Sequence, residues 1–466
     1  MKTERFLILA GFLLTLATGL HNLGIIALDD YSNGFAIMVP AQSLPEISPL
    51  EGVHPFLPKL LLRAVTRSLY ALGISEPLWQ LRLCFALLGV WSFLAQVVLA
   101  RALFAPGRAR DFALFLLGFY FAMPLFMTRP MIESLAMPWL SLSAAFATGY
   151  ARTGSARALL AALAFLAVGS LMRFQVGVCV VGLVALVAWR RSARDWAVLA
   201  AGAGVLGVLT GLPDLLLRGE FHGQLRAYVG YNLSSAGEHY GVMPFYTFLA
   251  LALGLSLPPA FLARYRGMDW RGRFAPLAAP LLYLAAFLVA HSFSPHKEDR
   301  FFVPALPLYL VCLVPLAEHL WQTRARWRRV WFLGVNGVLL VLVSWNQAQN
   351  NVIALARWLS NQPAINQVDA LSGALVFSPT AFISRPVRWA GASVETYDTQ
   401  DCARLAVVRW DTALPASWPQ RFEKVAEFQP MGVEALLVHT NPLNARRGRL
   451  DGYLPRGCGA KLVPSH

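Results

Sequence analysis

Long apolar runs set the pattern of this chain. Uncharged stretches occupy 6–28, 83–100, 112–128, 134–151, 158–172, 174–189, 196–213, 242–263, 274–296, 301–317 and 330–348. A helix needs roughly 17–25 apolar residues to cross the hydrocarbon core. Each run therefore reads as a candidate span, and those at 158–172 and 174–189 are marginal in length. The first run follows Lys2 and Arg5 as a signal peptide would. Its 23 uncharged residues exceed a signal core, and no A-x-A site follows, which predicts a retained span. Beyond about residue 350 the apolar runs shorten. Ile353–Leu359 predicts a helix. Leu375–Phe377, Leu405–Val408 and Ala435–Val438, bounded by Pro, Gly and polar residues, predict strands. No internal repeat is visible.

The expected architecture is thus an all-α polytopic membrane domain over 1–349, with about eleven transmembrane helices. A small α/β domain over 350–466 follows it. Composition supports this. The chain is 57% hydrophobic and only 14% charged, where a soluble domain carries about 25% charged residues. That excludes an ordinary soluble globule, a disordered chain and a disulfide scaffold.

A formal charge of +15 suits either a nucleic-acid partner or membrane topology, and its distribution decides. With the N-terminus inside, the inward segments are Lys2/Arg5, Arg101/Arg108/Arg110, Arg152/Arg157, Arg190/Arg191/Arg194, Arg264/Arg266/Arg271/Arg273 and Arg324/Arg326/Arg328/Arg329. They hold 18 basic residues against Glu4, Asp111, Asp195 and Asp269. This is the positive-inside pattern. No nucleic-acid-binding motif is visible, and no nucleic acid is expected as a partner. The outward segments are 29–80, 214–241 and 294–300, together with the chain beyond 350, and chemistry is expected on that face. Cys84, Cys179 and Cys312 fall in spans. Cys402 and Cys458 fall outside, where a disulfide persists; the sequence leaves their pairing open.

Four constellations stand out. Asp29-Asp30 follows the first span. An adjacent acid pair at a membrane edge either marks a solvated loop or supplies a general base to a lipid-borne substrate. Ser294-Pro295-His296-Lys297-Glu298-Asp299-Arg300-Phe301 packs three potential cations and two acids into five positions. It is either a snorkelling turn or an anion site, with Lys297, Arg300 and His296 on a phosphate and Glu298 and Asp299 fixing their geometry. Tyr228–Tyr246 interleaves aromatic residues with Gly, Asn232, Glu238, His239 and Tyr240, which suits either an interfacial aromatic belt or a sugar pocket. Arg173, between two short apolar runs, is a snorkelling turn residue or a phosphate ligand. Arg129 is a weaker case of the same kind, with Glu133 beside it as a local partner.

No Walker A loop, dinucleotide glycine motif, zinc-type Cys/His spacing or G-x-S-x-G turn occurs. No cytosolic domain is available to hold a sugar nucleotide. A transferase built this way must take an activated donor that already resides in the membrane.

Together these residues resemble the dolichyl-phosphate-mannose-dependent mannosyltransferases that build the GPI anchor and the lipid-linked N-glycan, of the C-type glycosyltransferase fold. Residues 294–301 look like that family's H-K-E-x-R-F signature. Gly230-Tyr231-Asn232 through Tyr240-Gly241, Pro244 and Tyr246 look like its N…YG…P…Y segment. Asp29-Asp30 stands where the family has its acidic pair, though the usual H-P-D-E is here Ala27-Leu28-Asp29-Asp30. Thr128-Arg129-Pro130 and Arg173 fall where family arginines are expected, with Arg173-Phe174-Gln175 in place of an R-P-T-like segment. The resemblance covers about residues 1–320.

It implies an inverting transfer of a hexose, mannose in this family, from a lipid phosphate to an acceptor hydroxyl. Asp29 or Asp30 would be the base, and His296, Lys297, Arg300 and Arg173 the phosphate ligands. Asn232, Glu238, His239 and Tyr240 would line the sugar or acceptor pocket, with Glu298 and Arg129 in support. It implies no metal and no cofactor, since the lipid-linked sugar is a substrate. Arginine-rich basic positions and abundant alanine suggest a bacterial coding sequence. The expected partners are then a polyprenyl-phosphate sugar, an acceptor glycan or glycolipid, and membrane lipids. The expected location is the bacterial inner membrane, with the site facing the periplasm. The alternatives are transfer of arabinose or glucose, a lipid-linked-sugar flippase, and an inactive envelope scaffold.

Overall fold

The computed structural model describes residues 2–26, 31–32, 34–38, 54–234, 241–262, 265–322, 326–440 and 447–463. It is mostly helical, and every uncharged run contains helix. Among the described residues, six helical stretches are long and apolar enough to cross a membrane: Lys2–His21, Pro77–Leu103, Ala193–Arg218, Trp270–Ser292, Asp299–Gln322 and Arg326–Ser360. Two shorter apolar ones are Ala156–Met172 and Phe174–Arg190. This is a multi-pass membrane protein.

The other expected spans differ for local reasons. The run at 112–128 is split into Arg108–Phe119 and Met123–Thr128, the second opening with Pro124 in its first turn. The run at 242–263 yields only Thr247–Leu255. Helix Ile132–Thr153 is long, but it buries Glu133, Ser134, Ser141, Ser143 and Thr148. It is a core helix among helices.

The chain divides into two compact units. One gathers Met1–Leu20, Ser48–Leu60 and Phe85–Ser344; the other gathers His21–Ile47, Leu61–Cys84 and Trp345–His466. In the first, Ile132–Thr153 packs against Ala156–Met172, Ala278–Ser292 and the 3-10 turn Asp299–Ala305. Gly154 (φ 66°) ends it in the left-handed conformation, and Ser155 caps the next helix by accepting the Ala158 N–H. Gly182 lets two helices meet: a Cβ there would lie 2.9 Å from the Leu282 carbonyl. Helix Ala193–Arg218 instead turns Val205, Val208, Leu209 and Leu216 outward, as a lipid-facing helix does.

In the second unit, helix Asn350–Ser360 precedes a five-stranded mixed sheet. The strands are β1 (Gln367–Leu371), β2 (Arg388–Ala392), β3 (Arg404–Arg409), β4 (Phe422–Phe428) and β5 (Leu450–Pro455), in the order β2-β1-β3-β5-β4. β1 runs parallel to β2 and β3, and β5 antiparallel to β3 and β4. Leu371, Val394, Tyr397, Val408, Trp418 and Phe422 form one of its clusters. Cys402 and Cys458 are disulfide-bonded.

Two expected strands are not strands. Leu375–Phe377 is irregular and follows a turn through Ser372 and Gly373, both at positive φ. Ala435–Val438 lies in helix Val433–Thr440, whose first-turn Glu434 accepts the Gln349 N–H at 3.0 Å. A four-residue apolar run carries no period that could separate the two outcomes.

Candidate active site

Arg173 stands where one helix stops. It caps Ala156–Met172 in extended conformation (φ −149°, ψ 109°), and the 3-10 turn Phe174–Cys179 then leads into helix Val180–Arg190. Its side chain is buried, at 3% exposure. Nη1 lies 3.1 Å from Glu133 Oε1, and Nε donates to Gln175 Oε1 at 2.9 Å. Glu133 is also buried, in the first turn of Ile132–Thr153, where the helix dipole favours a carboxylate. Burying two charges is tolerable only because they are paired, with the Gln175 bond satisfying a further donor of Arg173. Arg129, extended before Pro130 (φ −82°, ψ 142°), is buried with its guanidinium 5.2 Å from the Phe85 ring centre.

The 294–301 loop follows helix Ala278–Ser292. Glu298 organises it. Arg300 donates from Nε to Oε2 at 2.6 Å and from Nη2 to Oε1 at 3.0 Å, and His296 Nε2 lies 3.0 Å from Oε1. Burial alone would push the Glu298 carboxyl up, but these two partners outweigh it and hold it below the usual range. Asp299, expected to share this task, is exposed. Lys297 is buried and donates to the carbonyls of Ser294 and Met243. Burial lowers its pKa.

Phe301 joins the two parts. Its ring centre lies 4.6 Å from the Arg173 guanidinium carbon and 5.7 Å from that of Arg300, and His296 approaches it edge-on at 5.7 Å. The third segment reaches the same place. Met243 donates its N–H to Pro295 O at 3.0 Å. Tyr228, on helix Gly223–Ser234, packs on Phe174 at 5.4 Å, and Asn232 Nδ2 donates to Tyr228 O at 2.8 Å. Arg173, Arg300, His296 and Glu298 are therefore linked directly or through Phe301, Lys297 is tied to the same loop through the Ser294 and Met243 carbonyls, and Asn232 stands behind Tyr228, which packs on Phe174. Asp29, Asp30, Glu238, His239 and Tyr240 lie outside the described residues. Sequence reasoning missed Phe301 and Gln175 as participants; an aromatic ring directly after a cationic run was the available signal.

Beside this cluster runs an apolar cavity of about 520 Å³, lined by Leu163, Leu166, Phe174, Val178, Leu206 and Val229 among others. Phe174, next in sequence to Arg173, is one of its walls. Among the described residues, no group of three His, Cys, Asp or Glu side chains could hold a metal ion.

The sequence profile of the Alg9-like mannosyltransferase family matches residues 46–376. The chain belongs to that family. In fold, this family member is similar to ArnT from Cupriavidus metallidurans bound to undecaprenyl phosphate, with a TM-score of 0.63 at 14% identity over 99% of both chains. The apo form of that protein gives a TM-score of 0.60 at 14% identity, over 99% of this chain and 98% of the other. No protein of curated function matches in sequence. As a member of this family the protein is a membrane glycosyltransferase, and its helical portion shares with ArnT the C-type glycosyltransferase fold.

Proposed function

We propose that this transferase moves a hexose, mannose by family preference, from polyprenyl phosphate to an acceptor hydroxyl with inversion at C1. The observation that carries the reading is the convergence of Arg173, His296 and Arg300 on Phe301, next to buried Lys297. These four side chains take the donor phosphate. The acceptor oxygen bonds to C1 as the C1–O bond to phosphate breaks. Its proton passes to Asp29 or Asp30, and polyprenyl phosphate leaves with the electron pair. Preorganised cations aimed at the leaving oxygens supply the main stabilisation. Asn232, Glu238, His239 and Tyr240 shape the sugar or acceptor pocket, Glu298 holds Arg300 and His296 in position with Arg129 in support, and the side chains meet the phosphate charge without a metal.

The apolar groove ending at Phe174 suits the prenyl tail, and the lipid bound by ArnT is of the same class. The reading includes eleven passes in a bacterial inner membrane, with residues 1–349 as the membrane transferase domain. Residues 350–466 are a periplasmic domain, and the site faces that side.

The test is transfer by purified protein from polyprenyl-phosphate mannose, with polyprenyl phosphate release as readout. Asp29→Asn or Asp30→Asn should lower turnover roughly 10²- to 10⁴-fold. Near-normal turnover in both rejects the base. Consumption of arabinose or glucose donors but not mannose corrects the sugar. Failure to consume any such donor rejects the reading.

A further inference from the structure

Three arginines from three helices meet at a second cavity. Arg152 lies in the last turn of Ile132–Thr153, Arg190 ends Val180–Arg190, and Arg271 lies in helix Trp270–Phe274. All three line a cavity of about 610 Å³ whose other walls include Leu186, Trp189 and Pro276. Among the described residues, none that lines it is a carboxylate.

Two of the guanidiniums are held in place. Arg152 donates to Ala102 O at 2.5 Å and Leu103 O at 2.6 Å. Arg190 donates to Ala151 O at 3.2 Å, lies 3.6 Å from Asp195 and packs 5.4 Å from the Tyr150 ring centre. Its guanidinium also fills the space a side chain at Gly154 would need. Asp195 is shared with the Tyr150 hydroxyl at 2.7 Å, and among the described residues it is the one carboxylate within ion-pair distance of these three arginines. Trp189 stands 83% exposed on the rim.

This cavity is remote from the candidate active site. Arg152 precedes helix Ala156–Met172 and Arg173 follows it. Seventeen residues at 1.5 Å each separate the two ends by about 25 Å, close to the thickness of the hydrocarbon core. The three arginines come from three of the inward basic segments, so the cavity opens toward the cytoplasmic leaflet.

We infer that this cavity binds the headgroup of an anionic phospholipid of the cytoplasmic leaflet. The phosphate sits among Arg152, Arg190 and Arg271, an acyl chain lies along Leu186 and Pro276, and Trp189 sits at headgroup level. A soluble anion would need the arginines but not the apolar walls or the interfacial tryptophan. A zwitterionic lipid would leave the excess charge unmatched. Basic pockets between transmembrane helices bind lipid headgroups by this combination.

The experiment is native mass spectrometry of the full-length protein in detergent, with phosphatidylglycerol and phosphatidylcholine added in turn. Phosphatidylglycerol should be retained preferentially. Arg271→Gln, which removes no side-chain bond among the described residues, should weaken it about fivefold, and Arg152→Gln with Arg271→Gln about 25-fold. Millimolar inorganic phosphate should not displace the lipid. Equal retention of the two lipids, unchanged retention in folded Arg271→Gln protein, or displacement by phosphate alone would each overturn the inference.

Discussion

The Tyr31 hydroxyl lies 3.0 Å from Thr380 Oγ1 and accepts the Ala381 N–H at 3.1 Å, joining positions some 350 residues apart. The ring is buried and stacks on Phe377 at 4.3 Å. Upstream, Ile25 donates its N–H to Ala348 O at 3.0 Å, and Gln347 Nε2 donates to His21 O at 2.9 Å. Both flanks of the segment carrying Asp29 and Asp30 are thus bonded to the C-terminal part of the chain. Burial pushes the phenol up to about 12, so it stays protonated throughout the working range.

Tyr31→Phe removes both bonds and leaves the Ala381 N–H buried without its acceptor, at a cost of about 1–3 kcal/mol. If the acids are the base, loosening this anchor should lower kcat roughly ten- to a hundredfold with donor KM little changed. Steady-state kinetics with polyprenyl-phosphate mannose check this. A rise in KM at constant kcat would mean that Tyr31 serves donor binding instead.

The Arg173–Glu133 pair separates structure from chemistry. Glu133→Gln leaves a buried guanidinium without its carboxylate and should cost about 3–5 kcal/mol. Arg173→Gln should cost a similar amount. The double Gln variant removes both charges and should recover much of the stability, since two amides can hydrogen-bond each other. It should not recover donor use, because the phosphate then lacks a cation. Thermal unfolding in detergent and a transfer assay read the two effects separately. A stable, fully active double variant would remove Arg173 from the donor site.

What the sequence discloses here follows from how local each feature is. Arg173 is legible because it stands between two apolar runs of marginal span length. Its pairing with Glu133 is not, because Arg129 is the nearer cation in sequence and only the packing of Ile132–Thr153 on Ala156–Met172 selects between them. The 294–301 cluster is legible as a run of charge, but Phe301 acquires its role only when Arg173 reaches its ring. In the sheet, β3 shows as the apolar run Leu405–Val408. β1 does not, because it buries Asp369, held by Tyr397 at 2.8 Å and Arg404 at 3.0 Å. A buried carboxylate reads as surface until its partners are known.

Lys297 gives a pH signature. Its ammonium is buried against carbonyls, and burial lowers its pKa below the ordinary lysine value. The folded state therefore loses this proton before the unfolded state does. The desolvation penalty is full below the folded pKa and disappears as pH rises to the unfolded one, so its contribution to stability improves across that alkaline window. Activity moves the other way if the ammonium holds the phosphate. kcat/KM for the donor should fall on the alkaline side below the usual lysine range. Lys297→Arg, charged throughout, should extend that limb upward at some loss of rate. An unchanged alkaline limb in the arginine variant would assign the titration to another group.

The Cys402–Cys458 bond staples the start of β3 to the segment after β5, two strands that are already antiparallel neighbours. Its main effect therefore falls on the unfolded chain. Closing a loop with a separation of 56 residues contributes about 4 kcal/mol in the chain-entropy account. Cys402→Ser should lower the unfolding temperature of the sheet and raise its susceptibility to protease, while the membrane helices keep their unfolding temperature. The remaining cysteines, Cys84, Cys179 and Cys312, are buried, so native labelling with a thiol-reactive mass tag should add no tag before reduction and two after. The bond also reports the compartment, because a reducing cytosol would keep both thiols free. Two tags without prior reduction, in protein taken directly from cells, would place this domain on the cytoplasmic side and reverse the proposed topology.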